Sequence, residues 1–258
     1  MTRRRACGGF SLTELAIVLA IVGILLGGLM YTLLAQVEQR GLGETQQRLE
    51  TAREAVLAYA IVNGRLPCPA RADSLGDETR NSLGECKDGK GIENYYAGLL
   101  PARALGYQPV DAEGYAVDAW GNRLRLAVAK TVTGCAGPAA QPHFTHAANL
   151  KTNGITCQPG DLLVCKSAAG VSATSCGASA NALTNQNVVA AIVWSAGKSF
   201  AAAPASGADE SANLDGDAVF VSRPPSPAGA PGGAFDDLLV WIPAAVVYSR
   251  LIAAGVLP

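Results

Sequence analysis

Charge is scarce in this chain: only 16% of its 258 residues are Asp, Glu, Lys or Arg. The signs nearly cancel, 20 basic against 21 acidic side chains, so no basic surplus points to nucleic acid. With 49% hydrophobic residues, the same scarcity excludes a wholly disordered chain. Histidine is almost absent, with His143 and His146 the only two. Their spacing to Cys135 and Cys157 fits no compact zinc motif. No G-x-S-x-G occurs, and Ser195-Ala196-Gly197-Lys198-Ser199 fails as a phosphate loop because Ile192 stands where the first glycine is required. That segment reads instead as a turn leaving a buried strand. No set of residues forms a coherent catalytic group, so the expected function is not enzymatic.

What is abundant is concentrated. No charged side chain occurs between Glu14 and Glu38, and Leu15 to Leu34 reads LAIVLAIVGILLGGLMYTLL. A helix of about 20 apolar residues matches a bilayer core of roughly 30 Å. The run is longer than a secretory signal and lacks its cleavage site. Arg3, Arg4 and Arg5 precede it, which predicts a cytoplasmic N-terminus and a head across the membrane. Of seven cysteines, Cys7 lies before the run. Cys68, Cys86, Cys135, Cys157, Cys165 and Cys176 follow it, an even number suited to disulfides in an oxidising compartment. Cys68 and Cys86 bracket one turn-rich loop and are the favoured pair; closing it contributes about 3 kcal/mol. Free buried thiols are the alternative.

Glu14 sits at the mouth of the apolar run, where an unpartnered carboxylate is costly. It reads either as an interfacial or helix-start residue or as a charge awaiting a partner. Residues 8–26, GGFSLTELAIVLAIVGILL, resemble the N-terminal signature of type IV prepilins and type II secretion pseudopilins. The resemblance implies a leader over 1–9, cleavage between Gly9 and Phe10, N-methylation of Phe10, and a Glu14 that neutralises the terminal amine of a neighbouring subunit. It departs from many major pilins in having Tyr31 where those carry a proline. Asn63-Gly64-Arg65-Leu66-Pro67-Cys68-Pro69 and Asp118-Ala119-Trp120-Gly121 also look like large pilin-like proteins of secretion operons.

Beyond Glu38, Leu49, Ala52, Val56 and Tyr59 recur at helical spacing, and Asn63-Gly64 before Pro67 is a stop signal. One helix is expected from about Ser11 to Val62. Residues 67–91 read as loop and 92–107 as a short helix or turn. Arg123–Ala129 alternates, with Leu124, Leu126 and Val128 on one face. Leu162–Cys165, Val188–Trp194, Ala218–Val221 and Leu238–Trp241 are further strands. Pro243 at the first helical position and Gly255 bracket a final helix with Val246, Val247, Leu251 and Ile252 on its apolar face. Ala201–Ala208 and Pro224–Ala234 read as surface loops.

The expected fold is therefore α+β and pilin-like: a long N-terminal helix, transmembrane in its first half, packed on a small antiparallel sheet with disulfide-containing loops. The divisions are 1–9 leader, 10–37 transmembrane half, 38–62 amphipathic half and 63–258 periplasmic head. The resemblance implies a minor pilin or pseudopilin of a type II secretion pseudopilus or type IV pilus, assembled through its N-terminal helix. The alternatives are a major filament subunit or a single-pass binding or adhesion protein. Implied partners are a prepilin peptidase/N-methyltransferase, other pilin or pseudopilin subunits and an inner-membrane assembly platform. The implied location is the bacterial inner membrane, single-pass, with a filament after assembly. Asp209, Glu210, Asn213, Asp215 and Asp217 form an oxygen-rich segment suited to calcium, or a solvated turn held by Gly216.

Overall fold

The computed structural model describes residues 12–135, 142–201, 207–227, 229–230 and 232–258, with side chains omitted at 26–35 and 201. The leader, Gly9, Phe10 and Ser11 lie outside the described residues, as do parts of the loops expected at 201–208 and 224–234. The chain divides into two compact units, Met1–Gly43 and Glu44–Pro258. Helix α1, Leu12–Asn63, contributes to both.

In the first unit, Leu12, Leu15, Ile17, Val18, Leu19, Ile21, Ile24 and Leu25 are exposed. Among the described residues, no helix is long and apolar enough to cross a membrane. Glu38, Arg40 and Glu44 end the apolar character further along. The expected transmembrane half at 10–37 is thereby overturned. So are the single-pass inner-membrane placement and the pilus, pseudopilus or tethered-protein roles that required that span.

The second unit has its own core. Residues 44–63 are rich in helix formers, and the exposed face carries ion pairs between Glu44 and Arg48 and between Glu50 and Arg53. The opposite face buries Leu49, Ala52, Val56, Leu57 and Ala60. Tyr59 is half-buried, because its hydroxyl reaches out to donate to Glu78 Oε1 at 2.9 Å. Gly64, with φ of 66°, ends the helix in the left-handed region that a side chain resists.

The remaining elements are β1 (Gly98–Leu99), α2 (Ala102–Leu105), β2 (Arg125–Val128), β3 (Val132–Thr133), α3 (Ala147–Asn153), β4 (Gln158–Pro159) and β5 (Leu163–Cys165). They continue with β6 (Val189–Ser195), α4 (Ala208–Leu214), β7 (Val219–Val221), β8 (Leu238–Pro243) and α5 (Ala244–Ala253). The main sheet is antiparallel with order β1-β2-β6-β8. Register puts Leu126, Val193 and Val240 in one row and Arg125, Trp194 and Leu239 in the next, pointing to the other face. All seven residues of β6 are buried, because both faces are covered. For the same reason Ala127 is as buried as Leu126 and Val128, and the alternation expected along this strand is not a half-exposed one.

A single sheet was expected, yet β5 and β7 pair with each other in parallel as a separate two-stranded sheet, and β3 pairs with β4. An edge-to-face contact between Trp194 and Phe220, centroids 5.9 Å apart, links β6 to β7. Helix α5 starts at Ala244, one residue later than expected, with Pro243 as its N-cap. It buries Ala244, Val247, Tyr248 and Leu251 and leaves Val246 and Ile252 exposed.

Three disulfides join neighbours in sequence: Cys68 to Cys86, Cys135 to Cys157, and Cys165 to Cys176. Each closes a short loop, worth about 3 kcal/mol in the chain-entropy account. The first loop is also held electrostatically. Burial opposes charge on Glu78, but hydrogen bonds from the Arg65 guanidinium and the Cys68 amide outweigh it and hold the carboxyl below its usual range.

Candidate metal centre

Three segments remote in sequence meet beside the end of β6. The turn Ser195–Ser199 leaves the strand, α4 supplies Glu210, and Asp236-Asp237 precede β8. One carboxylate oxygen from each of Glu210, Asp236 and Asp237 lies within 4.8 Å of the others. Glu210 and Asp237 are buried and Asp236 is half-buried.

The turn is shaped around Asp236. Ser199 donates its amide to Asp236 Oδ2 at 2.8 Å and its hydroxyl to Oδ1 at 3.0 Å. Gly197 adopts φ of 65°, and a Cβ there would fall 2.1 Å from Asp236 Oδ1. Only glycine combines that backbone conformation with that approach. The turn is anchored behind: Ser195 Oγ donates to the buried Asp118 at 2.6 Å, and Asn122 Nδ2 donates to Gly197 O at 2.7 Å. Asp236 N donates to Glu210 Oε1 at 3.3 Å, which ties α4 to the strand entry.

Asp237 carries the electrostatic signature of the site. Burial, reinforced by the neighbouring Glu210 and Asp236 charges, pushes its carboxyl up to about 7, against a hydrogen bond from Asn213 and the attraction of Arg125. Arg125 itself lies over the rings of Trp194 and Phe200, at 5.2 and 5.6 Å. Three carboxylates with two oxygens each, beside the Ser199 hydroxyl, form the hard oxygen donor set that calcium prefers. The cluster can coordinate a divalent cation such as calcium.

Of the five residues singled out in sequence, only Glu210 belongs to this cluster. Asp209 is buried in an ion pair with Arg223, 2.6 Å from its Nε, and accepts from the Ala168 amide. Asn213 is a bridge: its amide nitrogen donates to Val221 O and Asp237 Oδ2, and its oxygen accepts from Val221 N. Asp215 and Asp217 accept the amides of Asp217 and Val219 and form local turns. The signal overlooked in sequence is the pair Asp236-Asp237 set against the apolar run of β8.

The histidines go elsewhere. His143 is buried, and burial lowers it to about 4. Tyr248 donates its hydroxyl proton to Cys157 O, so His143 Nε2–H donates to Tyr248 at 2.9 Å. His146 caps α3 by accepting the Asn149 amide. Cys135 and Cys157 are oxidised and offer no thiolate to zinc. Glu14 lies in the first turn of α1, where a negative charge complements the helix dipole.

Residues 4–30 match the prokaryotic N-terminal methylation motif. No curated protein and no solved structure matches the chain significantly. The chain thus carries a prepilin-type methylation motif, consistent with the broader prepilin and pseudopilin family and implying processing by an enzyme of the prepilin peptidase and methyltransferase kind.

Proposed function

We propose that this chain is a substrate of a prepilin peptidase/N-methyltransferase, cut between Gly9 and Phe10, whose mature product presents a non-catalytic, cation-holding head. The methylation motif over residues 4–30 supports the reading, and within that range the sequence has a small residue, Gly9, before an apolar Phe10, with Glu14 four positions on. Glu14 is proposed as the carboxylate that neutralises a mature terminal amine. The size of the head suggests affiliation with the large, minor-pilin-like members of that class. Other subunits of the class are its proposed partners.

A non-catalytic role is supported by how the reactive side chains are used. The Ser195 hydroxyl is given to Asp118, and His143 is packed between Phe144 and Tyr248. The carboxylates of the acidic cluster serve to hold a cation and to fix the entry to β8 against α4.

Mass spectrometry of the protein from cells that hold such a peptidase tests the reading. The expected N-terminus is N-methylated Phe10, with Gly9→Val blocking the cut and Glu14→Ala leaving it intact. A chain that still begins at Met1 in those cells overturns the proposal.

A further inference from the structure

The loop closed by Cys68 and Cys86 contains an arginine that the fold leaves without a partner. Arg80 is half-buried, and its Nε is cut off from solvent with no acceptor. Among the described residues, no hydrogen bond or ion pair reaches the rest of its guanidinium. Arg53 and Arg71 also have an unbonded Nε, but carboxylate oxygens of Glu50 and Asp73 lie 3.3 and 3.5 Å from them. The carboxylates close to Arg80 in sequence are already committed. Glu78 accepts from Arg65, Tyr59 and the Cys68 amide, and Glu85 accepts from Lys87 and Asn81. Burial and the neighbouring Arg65 charge hold the Arg80 guanidinium below its usual range, against the attraction of Glu78.

A second donor stands beside it. At Gly84, with φ of 80°, a Cβ would fall 2.5 Å from His146 Cδ2 and 3.1 Å from Arg80 Nη2. Glycine there lets the imidazole edge and the guanidinium close over the same point of the backbone. His146 Nδ1 accepts the Asn149 amide at 3.3 Å, so the neutral ring carries its proton on Nε2, the nitrogen bonded to Cδ2. That N–H meets no acceptor among the described residues. The backbone beneath is fixed, since Thr145 Oγ1 donates to Gly84 O at 2.7 Å and Leu66 N donates to Phe144 O at 2.8 Å.

We propose that Arg80 and His146 form a binding site for a tetrahedral oxyanion, the phosphate group of a small molecule or the free ion. The guanidinium fork gives two parallel N–H groups to two oxygens, and His146 Nε2–H gives a bond to a third. A planar carboxylate has only the two oxygens that the fork takes, so it is held less well. A metal cation finds no ligand in this pair, because both groups donate. Glu78 and Glu85 are neutralised by Arg65 and Lys87, which leaves the Arg80 charge to the incoming anion. The site is separate from the acidic cluster and from processing at the N-terminus, and it stands whether or not those readings hold.

Nuclear magnetic resonance of the full chain with labelled histidine tests this, because the sequence holds only two such rings. Inorganic phosphate, glycerol phosphate and acetate are titrated at constant ionic strength set with sodium chloride. The expected result is a saturable shift of the His146 ring signals with either phosphate and a still signal from the buried His143. Acetate is expected to bind at least tenfold more weakly, and Arg80→Gln to weaken phosphate at least tenfold while His143 keeps its parent position. Tighter binding of glycerol phosphate supports the site as one for an esterified group, and tighter binding of the inorganic ion supports it as one for the free anion. A His146 shift that never saturates, or one that chloride reproduces, overturns the proposal. So does acetate binding as tightly as phosphate, or Arg80→Gln binding as tightly as the parent. The titration of the parent chain needs no variant, so it decides the question even if Arg80→Gln unfolds.

Discussion

Replacing Asp237 by Asn separates the two consequences of crowding three carboxylates together. In the cation-free head, burial and the charges of Glu210 and Asp236 push Asp237 up to about 7, far above an ordinary aspartate. The folded state therefore holds a proton that the unfolded chain has released between about pH 4 and pH 7. This contribution is fully present below pH 4 and is lost as the pH rises through 7. At roughly 1.36 kcal/mol per pKa unit, it is at most about 4 kcal/mol by pH 7. Asparagine carries no charge to desolvate and still accepts from Asn213 Nδ2, now 2.7 Å from Asp237 Oδ2. Asp237→Asn is thus expected to raise cation-free stability at pH 7 by about 2 kcal/mol or more and to flatten its decline above pH 4. Calcium acts in the opposite direction. At a hundredfold excess over its Kd it stabilises the parent by about 2.7 kcal/mol, and this response disappears in the variant. Denaturant unfolding of the full chain from pH 4 to 8, with and without calcium, measures both effects. A variant less stable than the parent without calcium, or one as responsive to calcium as the parent, would refute the reasoning.

Two further outcomes are expected. Gly197→Ala forces a methyl group into Asp236 at a left-handed backbone position, so it should cost about 2 kcal/mol or more and abolish the calcium-induced shift in Tm; an unchanged Tm would remove the turn from the site. His143, lowered to about 4 by burial, stays neutral in the fold while the unfolded chain takes up a proton below about 6.5. Its neutral burial should therefore cost up to about 3 kcal/mol as pH falls from 6.5 to 4, and His143→Gln should flatten that limb of the stability profile.

Local pattern was legible wherever one element carried the information. The spacing of Leu49, Ala52 and Val56 marks the face of α1 that is buried, since side chains three or four apart share a helix face. Asn63-Gly64 marks the helix end, because only glycine takes the left-handed conformation there without strain. The β-rich runs at Val189–Ser195 and Leu238–Pro243 are strands for similarly local reasons. The apolar run near the N-terminus misled at this level: hydropathy counted residues, whereas the described helix offers no stretch both long and apolar enough to cross a membrane.

The sequence by itself determined the methylation motif, the helical and extended periodicities and the even set of six cysteines, because each is written in residue type and short spacing. Tertiary structure alone decided that β5 and β7 leave the main sheet to pair in parallel, and that Glu210 joins Asp236 and Asp237 while Asp209 turns to Arg223. Those outcomes rest on contacts between segments 14 to 56 residues apart. At such separations the packing of the whole core, rather than any local preference, chooses which groups meet.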